Sequence, residues 1–257
     1  MSDMVHKSLS RRHHKGKKMQ FLLENPIAHR GLFDQMYPEN SIGAFIQATK
    51  AGFINELDVQ LTRDGYPVVF HDKDLARMTG QSGKLADFDL KQLKELHLKQ
   101  TSAIIPTLGE VIQAIPEAKG LLIEIKSAPH MARASRLVWQ TMQNSPIPWA
   151  VESFNPLALL WYAQYAPQLP RGILIAQKSQ LHPLQKLLLN PELVRPAVQP
   201  DFFAYDLQLL PNPYAQSLRK QGKLVISWTI RTAQEWQKAK CCSDNLIFDT
   251  IRPPAKD

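Results

Sequence analysis

From Ile27 onwards, short runs of β-branched, aromatic and aliphatic residues alternate with stretches whose apolar positions recur every three or four residues. The first kind of run suits a buried strand and the second is one face of an amphipathic helix. "NPIAHRG" (25–31) reads as a short strand ending in a histidine, and "SIGAFIQATKAG" (41–52) as a helix. Ser41 or Asn40 caps that helix, Gly52 ends it, and Ile42, Phe45, Ile46 and Thr49 share one face. A strand carrying Glu56 and Asp58 comes next, with "RDGY" as a turn and "PVVFH" as its continuation. "TLGEVIQAIPEA" opens a helix at Thr107, with Glu110 three residues on as a capping box. Further strands are predicted in "GLLIEIKS", "PWAVESF", "RGILIAQ", "FFAYDLQLL", "KLVISWTI" and "NLIFDT". Helices are predicted over 131–143, in "PLALLWYAQYAP" and "HPLQKLLLN", and over 213–221 and 232–240.

Strands starting near Ile27, Glu56, Leu121, Trp149, Ile173, Phe203, Leu224 and Leu246 make eight, separated by helices, which predicts a (β/α)8 TIM barrel. A doubly wound open sheet is the alternative. Residues 73–106 do not fit the alternation. Apart from a short amphipathic helix in "DLKQLKEL" they are polar and irregular, and read as an excursion between barrel units. The expected organisation is an arm over 1–20 and one domain over 21–257.

The 257 residues, 44% of them hydrophobic, are enough for a well-filled core. No stretch approaches the roughly 18 apolar residues of a membrane span. Phe21–Leu23 is too short for the apolar core of a secretory signal, so none is expected. Cys241 and Cys242 are adjacent and imply no disulfide scaffold, which suits a cytoplasmic setting. The net charge is +8, but residues 1–18 hold six cations against Asp3, so +5 of it lies in the arm. A solvated, disordered arm is expected, with weak contact to anionic lipid or RNA as the sharper reading. Nucleic acid is not an expected partner of the domain.

Side chains two apart on a strand share a face, so Glu56 and Asp58 crowd two carboxylates together. Barrel enzymes carry their chemistry at the C-terminal ends of strands. His29, Arg30, Glu56, Asp58, His71, Glu124, Lys126, Trp228 and Asp249 all fall at or near such ends. Charges about 4 Å apart at an effective dielectric near 20 interact by roughly 4 kcal/mol per pair. Three converging carboxylates therefore call for compensation. A hard divalent cation, Mg²⁺ or Ca²⁺, supplies it to oxygen-only ligands; a structural network with Arg30 and Lys126 is the alternative. His29 and His71 would provide one acid and one base, in either order, and Arg30 and Lys126 would hold an anion. No nucleotide-binding loop is present, and hydrolysis of a phosphodiester fits this set best.

"AHRG" (28–31), "PENS" (38–41), "NELDVQLTRDGYPVVFHD" (55–72), "IPTLGEV", "IEIK", "SF" (153–154) and "SWTI" (227–230) resemble, in order, the motifs of the glycerophosphodiester phosphodiesterase family. The resemblance is dense up to Lys126 and thin from there to Lys223. It implies a TIM barrel with a small insertion after the second strand, and hydrolysis of glycerophosphodiesters to sn-glycerol 3-phosphate and an alcohol such as choline or ethanolamine. By motif, His29 and His71 match the acid/base pair, Glu56, Asp58 and Glu124 the cation ligands, and Arg30 and Lys126 the phosphate contacts. Glu39 and Asn40 would brace the rim and Trp228 would line the substrate pocket. Phe248 and Arg231 stand where the family often has threonine and asparagine, which bears on substrate choice. Two other readings differ in substrate or turnover: a lysophospholipase D acting on lysophospholipids, and a phosphate-ligand sensor on an inactive barrel.

Overall fold

The computed structural model describes residues 18–126, 130–177 and 196–253. Residues 1–17 of the basic arm and the helix predicted in "HPLQKLLLN" lie outside the described residues.

Among the described residues nine strands form: β1 (Ile27–Ala28), β2 (Ile54–Leu61), β3 (Pro67–Val69), β4 (Leu121–Ile125), β5 (Trp149–Ser153), β6 (Arg171–Ile175), β7 (Phe202–Asp206), β8 (Leu224–Ile230) and β9 (Asn245–Phe248). All but β3 pair in parallel, in the order β1-β9-β8-β7-β6-β5-β4-β2, and β1 pairs with β2 to close the ring. The sheet is thus an eight-stranded barrel rather than the open alternative. Helices follow the strands on its outside, among them Ile42–Lys50, Leu108–Ala114, Met131–Met142 and Pro156–Tyr165. Their starts obey the local rules: Ser41 Oγ accepts from the Ala44 N–H, and Thr107 and Glu110 form the capping box.

Two apolar layers follow from the period of two along each strand. Leu57, Val59, Ile123, Ile125 and Val151 face outward into the helices. Ile27, Ile54, Leu122, Ala150, Leu174, Phe202, Ala204, Ile226 and Ile247 fill the barrel. Gly172 and Phe202 are register partners, and a Cβ on Gly172 would lie 2.0 Å from the Phe202 ring, so the missing side chain makes room for the phenyl. Phe21 and Leu22, read in the sequence only as a short apolar run, form a helix with Glu24 whose apolar side joins this inner layer. Asn245 ties that helix down by donating to the Leu22 and Asn25 carbonyls.

"PVVFH" does not extend β2. The turn at Gly65 (φ 93°) reverses the chain, and β3 pairs antiparallel with β2, Val59 opposite Val69. Gln60 donates to the carbonyls of Phe70, His71 and Asp72 at 2.8, 3.2 and 2.8 Å, which pins the chain where His71 leaves the hairpin. Residues 73–106 then form short helices at Ala76–Thr79 and Leu90–Leu93. With Val68 and Phe70 of the hairpin they pack a small core from Leu75, Met78, Leu85, Leu93, Leu98 and Ile105.

Gly172→Val is expected to overpack the barrel interior and destabilise the fold by about 1–3 kcal/mol. A lower urea midpoint at unchanged m would show it; an unchanged midpoint would mean that Phe202 does not occupy that space.

Candidate active site

The apolar filling of the barrel stops one step short of its C-terminal end. Counting inward from Ile54, the next two inward positions of β2 are Glu56 and Asp58, 2% and 0% exposed. Register places Asp58 beside Glu124 of β4, and Glu124 beside Glu152 of β5, so three neighbouring strands put a carboxylate in one layer. One ligand oxygen from each of Glu56, Asp58 and Glu124 lies within 4.8 Å of the others.

Two cations answer this charge. Lys126 Nζ lies 2.8 Å from Glu124 Oε1 and 3.2 Å from Asp58 Oδ1. Arg30 takes a left-handed backbone (φ 58°), which turns its N–H onto Glu56 Oε2 at 2.8 Å and its Nε to 3.3 Å from Asp58 Oδ2. Asn40, also left-handed, donates from Nδ2 to Asp58 Oδ2 at 2.9 Å. Burial works against ionisation of Asp58, but Lys126 and Arg30 hold its carboxyl far below the usual range. Glu56 and Glu124 go the other way. Burial, then Asp58 and Glu152, push Glu56 well up, and burial raises Glu124 to about 7 with Lys126 opposing. Burial and the neighbouring Glu124 and Asp58 raise Glu152 as well.

Lys126 and Arg30 thus do form the ionic network that the sequence offered as an alternative to a cation. Two cations beside four carboxyl groups leave an excess that either protonation or a bound cation can meet, however. Among the described residues, Glu152 Oε2 is buried without a hydrogen-bond partner, while Asp58 Oδ1 has only the Lys126 ammonium beside it. A buried, oxygen-only set of three carboxylates within 4.8 Å of one another fits a hard divalent cation.

Both histidines face this cluster. His29 follows β1, and its Nδ1 lies 3.2 Å from Asp249 Oδ2, just past β9. His71 leaves the β2–β3 hairpin, and its Nδ1 lies 2.6 Å from Asp72 Oδ1. Burial lowers the proton affinity of both rings. With Nδ1 engaged, Nε2 is the free nitrogen of each ring. His29, Arg30, Glu56, His71, Glu124, Lys126, Glu152 and Trp228 all line one cavity of about 150 Å³, together with Phe154, Leu174 and Arg231. The Trp228 indole donates to the Ala204 carbonyl at 2.9 Å and packs edge-on against Phe154 at 5.7 Å.

Every site residue expected from the sequence is at this rim. Glu152, Asp72 and Gln60 carry no assignment in the sequence reading, Phe154 enters it only within the "SF" motif, and Asp249 has no role there. Glu152 carried a usable signal, since it sits two positions past Ala150 near the end of a predicted strand. Gln60 carried none, because its partners depend on where the hairpin returns; Asp72 is adjacent to its partner His71, but only the local chain path turns the two side chains together.

Comparison with known proteins gives one consistent result. The model of the glycerophosphoryl diester phosphodiesterase family matches residues 29–251. A glycerophosphodiester phosphodiesterase of Caldanaerobacter subterraneus subsp. tengcongensis is 31% identical over 235 residues, 87% of this chain and 93% of that protein. One from Bacillus subtilis is 25% identical and covers 82% of this chain and 78% of its own. Among solved structures, an Oleispira antarctica phosphodiesterase in complex with the product sn-glycerol-3-phosphate superposes with a TM-score of 0.76 at 25% identity, covering 89% of this chain and 94% of that one. A glycerophosphodiester phosphodiesterase from Thermotoga maritima gives 0.70 at 27% identity, over 88% and 94%.

Mg²⁺ or Ca²⁺ added to EDTA-treated protein is expected to raise its thermal midpoint, since an ion at 100 times its Kd stabilises by about 2.7 kcal/mol. Glu124→Gln should remove most of that rise. An equal rise in the variant would place the ion elsewhere.

Proposed function

The chain belongs to the glycerophosphoryl diester phosphodiesterase family, and from that premise we propose that it hydrolyses small glycerophosphodiesters, such as glycerophosphocholine or glycerophosphoethanolamine, with a divalent cation at Glu56, Asp58 and Glu124. The products are sn-glycerol 3-phosphate and the free alcohol. The observation that carries this reading is a pair of histidines, each held at Nδ1 by an aspartate, on the same small cavity as the carboxylate cluster.

Arg30 and Lys126 would take the phosphate oxygens, the guanidinium offering a planar fork and the ammonium a point charge. Glu56, Asp58 and Glu124 would hold a Mg²⁺ or Ca²⁺ ion, which would supply Lewis acidity when bound. One histidine accepts the proton of the substrate's neighbouring hydroxyl as its oxygen attacks phosphorus. The other gives a proton to the leaving alcohol oxygen, and a cyclic phosphate results. Water then opens the ring, with the two histidines exchanging roles. Asp249 and Asp72 keep each ring in the tautomer that leaves Nε2 free. Trp228 and Phe154 wall the substrate's carbon atoms. A cavity of about 150 Å³ suits a small headgroup. It is well under the roughly 300–1,000 Å³ of drug-sized pockets. A cytoplasmic setting belongs to the same proposal, supported by the unpaired Cys241 and Cys242.

The lysophospholipid reading has one observation in its favour. A groove of about 1190 Å³ runs along the Met131–Met142 and Pro156–Tyr165 helices, lined by Leu157, Leu160, Trp161 and Tyr165 with Arg133 and Arg136. Leu157 is 54% and Tyr165 61% exposed there. An acyl chain could lie on such a surface. An inactive sensor would lack one of the histidines or carboxylates, and the sequence carries all five.

Release of glycerol 3-phosphate from glycerophosphocholine and glycerophosphoethanolamine is expected with added cation and not with EDTA. His29→Ala or His71→Ala should lower kcat by about 10²–10⁴. Near-wild-type activity in either variant would remove that residue from the chemistry. Turnover confined to lysophospholipids would favour the second reading.

A further inference from the structure

Each pocket histidine is backed by an aspartate, and each of those aspartates is backed by an arginine. Behind His29, Asp249 Oδ1 lies 3.2 Å from Arg231 Nε, and Arg231 is 56% exposed. Behind His71 the chain of contacts goes further. Asp72 Oδ2 accepts from Arg77 Nε at 2.5 Å. The other two nitrogens of Arg77 grip Glu39, one donating to Oε2 at 2.9 Å and one to Oε1 at 2.7 Å. Glu39 Oε1 also accepts from an Arg30 guanidinium nitrogen at 2.7 Å. An unbroken ladder of hydrogen bonds, His71–Asp72–Arg77–Glu39–Arg30, therefore joins one histidine of the cavity to its arginine from behind.

We propose that Arg77 is a positioning residue, which locks His71 and Arg30 into one geometry so that proton transfer and phosphate binding are set together. This rests on the roles given to His71 and Arg30 above. Only a planar fork with donors on three nitrogens can hold Asp72 by one edge and Glu39 by the other; a lysine ammonium cannot span both. The support beneath Arg77 is rigid. Its helix, Ala76–Thr79, is anchored by Leu75 and Met78, 0% and 3% exposed in the small core beside Phe70. Gly80 closes that helix in the left-handed region (φ 77°). The segment after β3 thereby has a task at the cavity that it does not line. Arg77 itself is 43% exposed, so its ion pairs contribute little to stability and its removal should leave the fold intact.

The experiment is a cycle of Arg77→Met and His71→Ala, singly and together, with Arg77→Lys alongside. kcat and KM are measured on glycerophosphocholine and glycerophosphoethanolamine at saturating cation, and the melting temperature is recorded for each protein. Arg77→Met is expected to lower kcat by about tenfold to a hundredfold, as loss of an outer partner of a reacting group does, and to raise KM as Arg30 loses its brace. Arg77→Lys should fall between it and the wild type, and carries the test if the methionine variant does not fold. On the His71→Ala background, Arg77→Met should leave kcat unchanged while the rise in KM persists, because the histidine it positions is gone. An equal kcat loss on both backgrounds, or a wild-type kcat in Arg77→Met, would overturn the inference and leave the diesterase reading standing. A wild-type chain without turnover on either substrate would overturn both.

Discussion

Asp58 is the charge around which the rim is built. It is fully buried, yet Lys126 and Arg30 hold it ionised from two sides and Asn40 donates to it from a third. An uncompensated buried carboxylate costs several kcal/mol, so each of these partners is held in place by the same need. Arg30 and Asn40 reach Asp58 from left-handed backbones, a conformation that asparagine tolerates and that costs the arginine strain offset by the contacts made. The loop between β1 and the Ile42–Lys50 helix therefore takes its shape from one buried acid.

The barrel divides its labour along its axis. The inner layer from Ile27 to Ile247 is apolar, with Phe21 and Leu22 joined to it, and supplies the hydrophobic stabilisation. One step further along the same inward positions the side chains become Glu56, Asp58, Glu124 and Glu152. Because neighbouring strands are in register, those acids fall in adjacent places without any loop having to bring them there. Closure of the ring matters equally. His29 follows the first strand and Asp249 the last, and they meet because β1 pairs with β9.

Much of this was readable in the sequence. The strand periods located eight barrel strands, and the period of two in "NELDV" put Glu56 and Asp58 on one face before any coordinates. His29, His71, Arg30 and Lys126 stood out because charged and titratable residues at the ends of apolar runs need a reason to be there. The hairpin after β2 was misjudged, since "PVVFH" has strand character in either direction and only pairing decides which way it runs. The Phe21–Glu24 helix went unread for a related cause: four residues carry too little periodicity, and the apolar core that orders them comes from elsewhere in the chain.

By itself, then, the sequence determined the element types, the eight-fold count and the residues able to do acid–base and cation chemistry, because these depend on local periodicity and side-chain type. It could not determine partners. The pairing of His29 with Asp249 spans 220 positions, and the span of Arg77 between Asp72 and Glu39 joins a segment after β3 to the loop after β1. Such contacts depend on barrel closure and on the direction of one hairpin, which are properties of the packed chain as a whole. The tertiary structure alone decided which carboxylates are matched by cations and which buried oxygens are left without a partner.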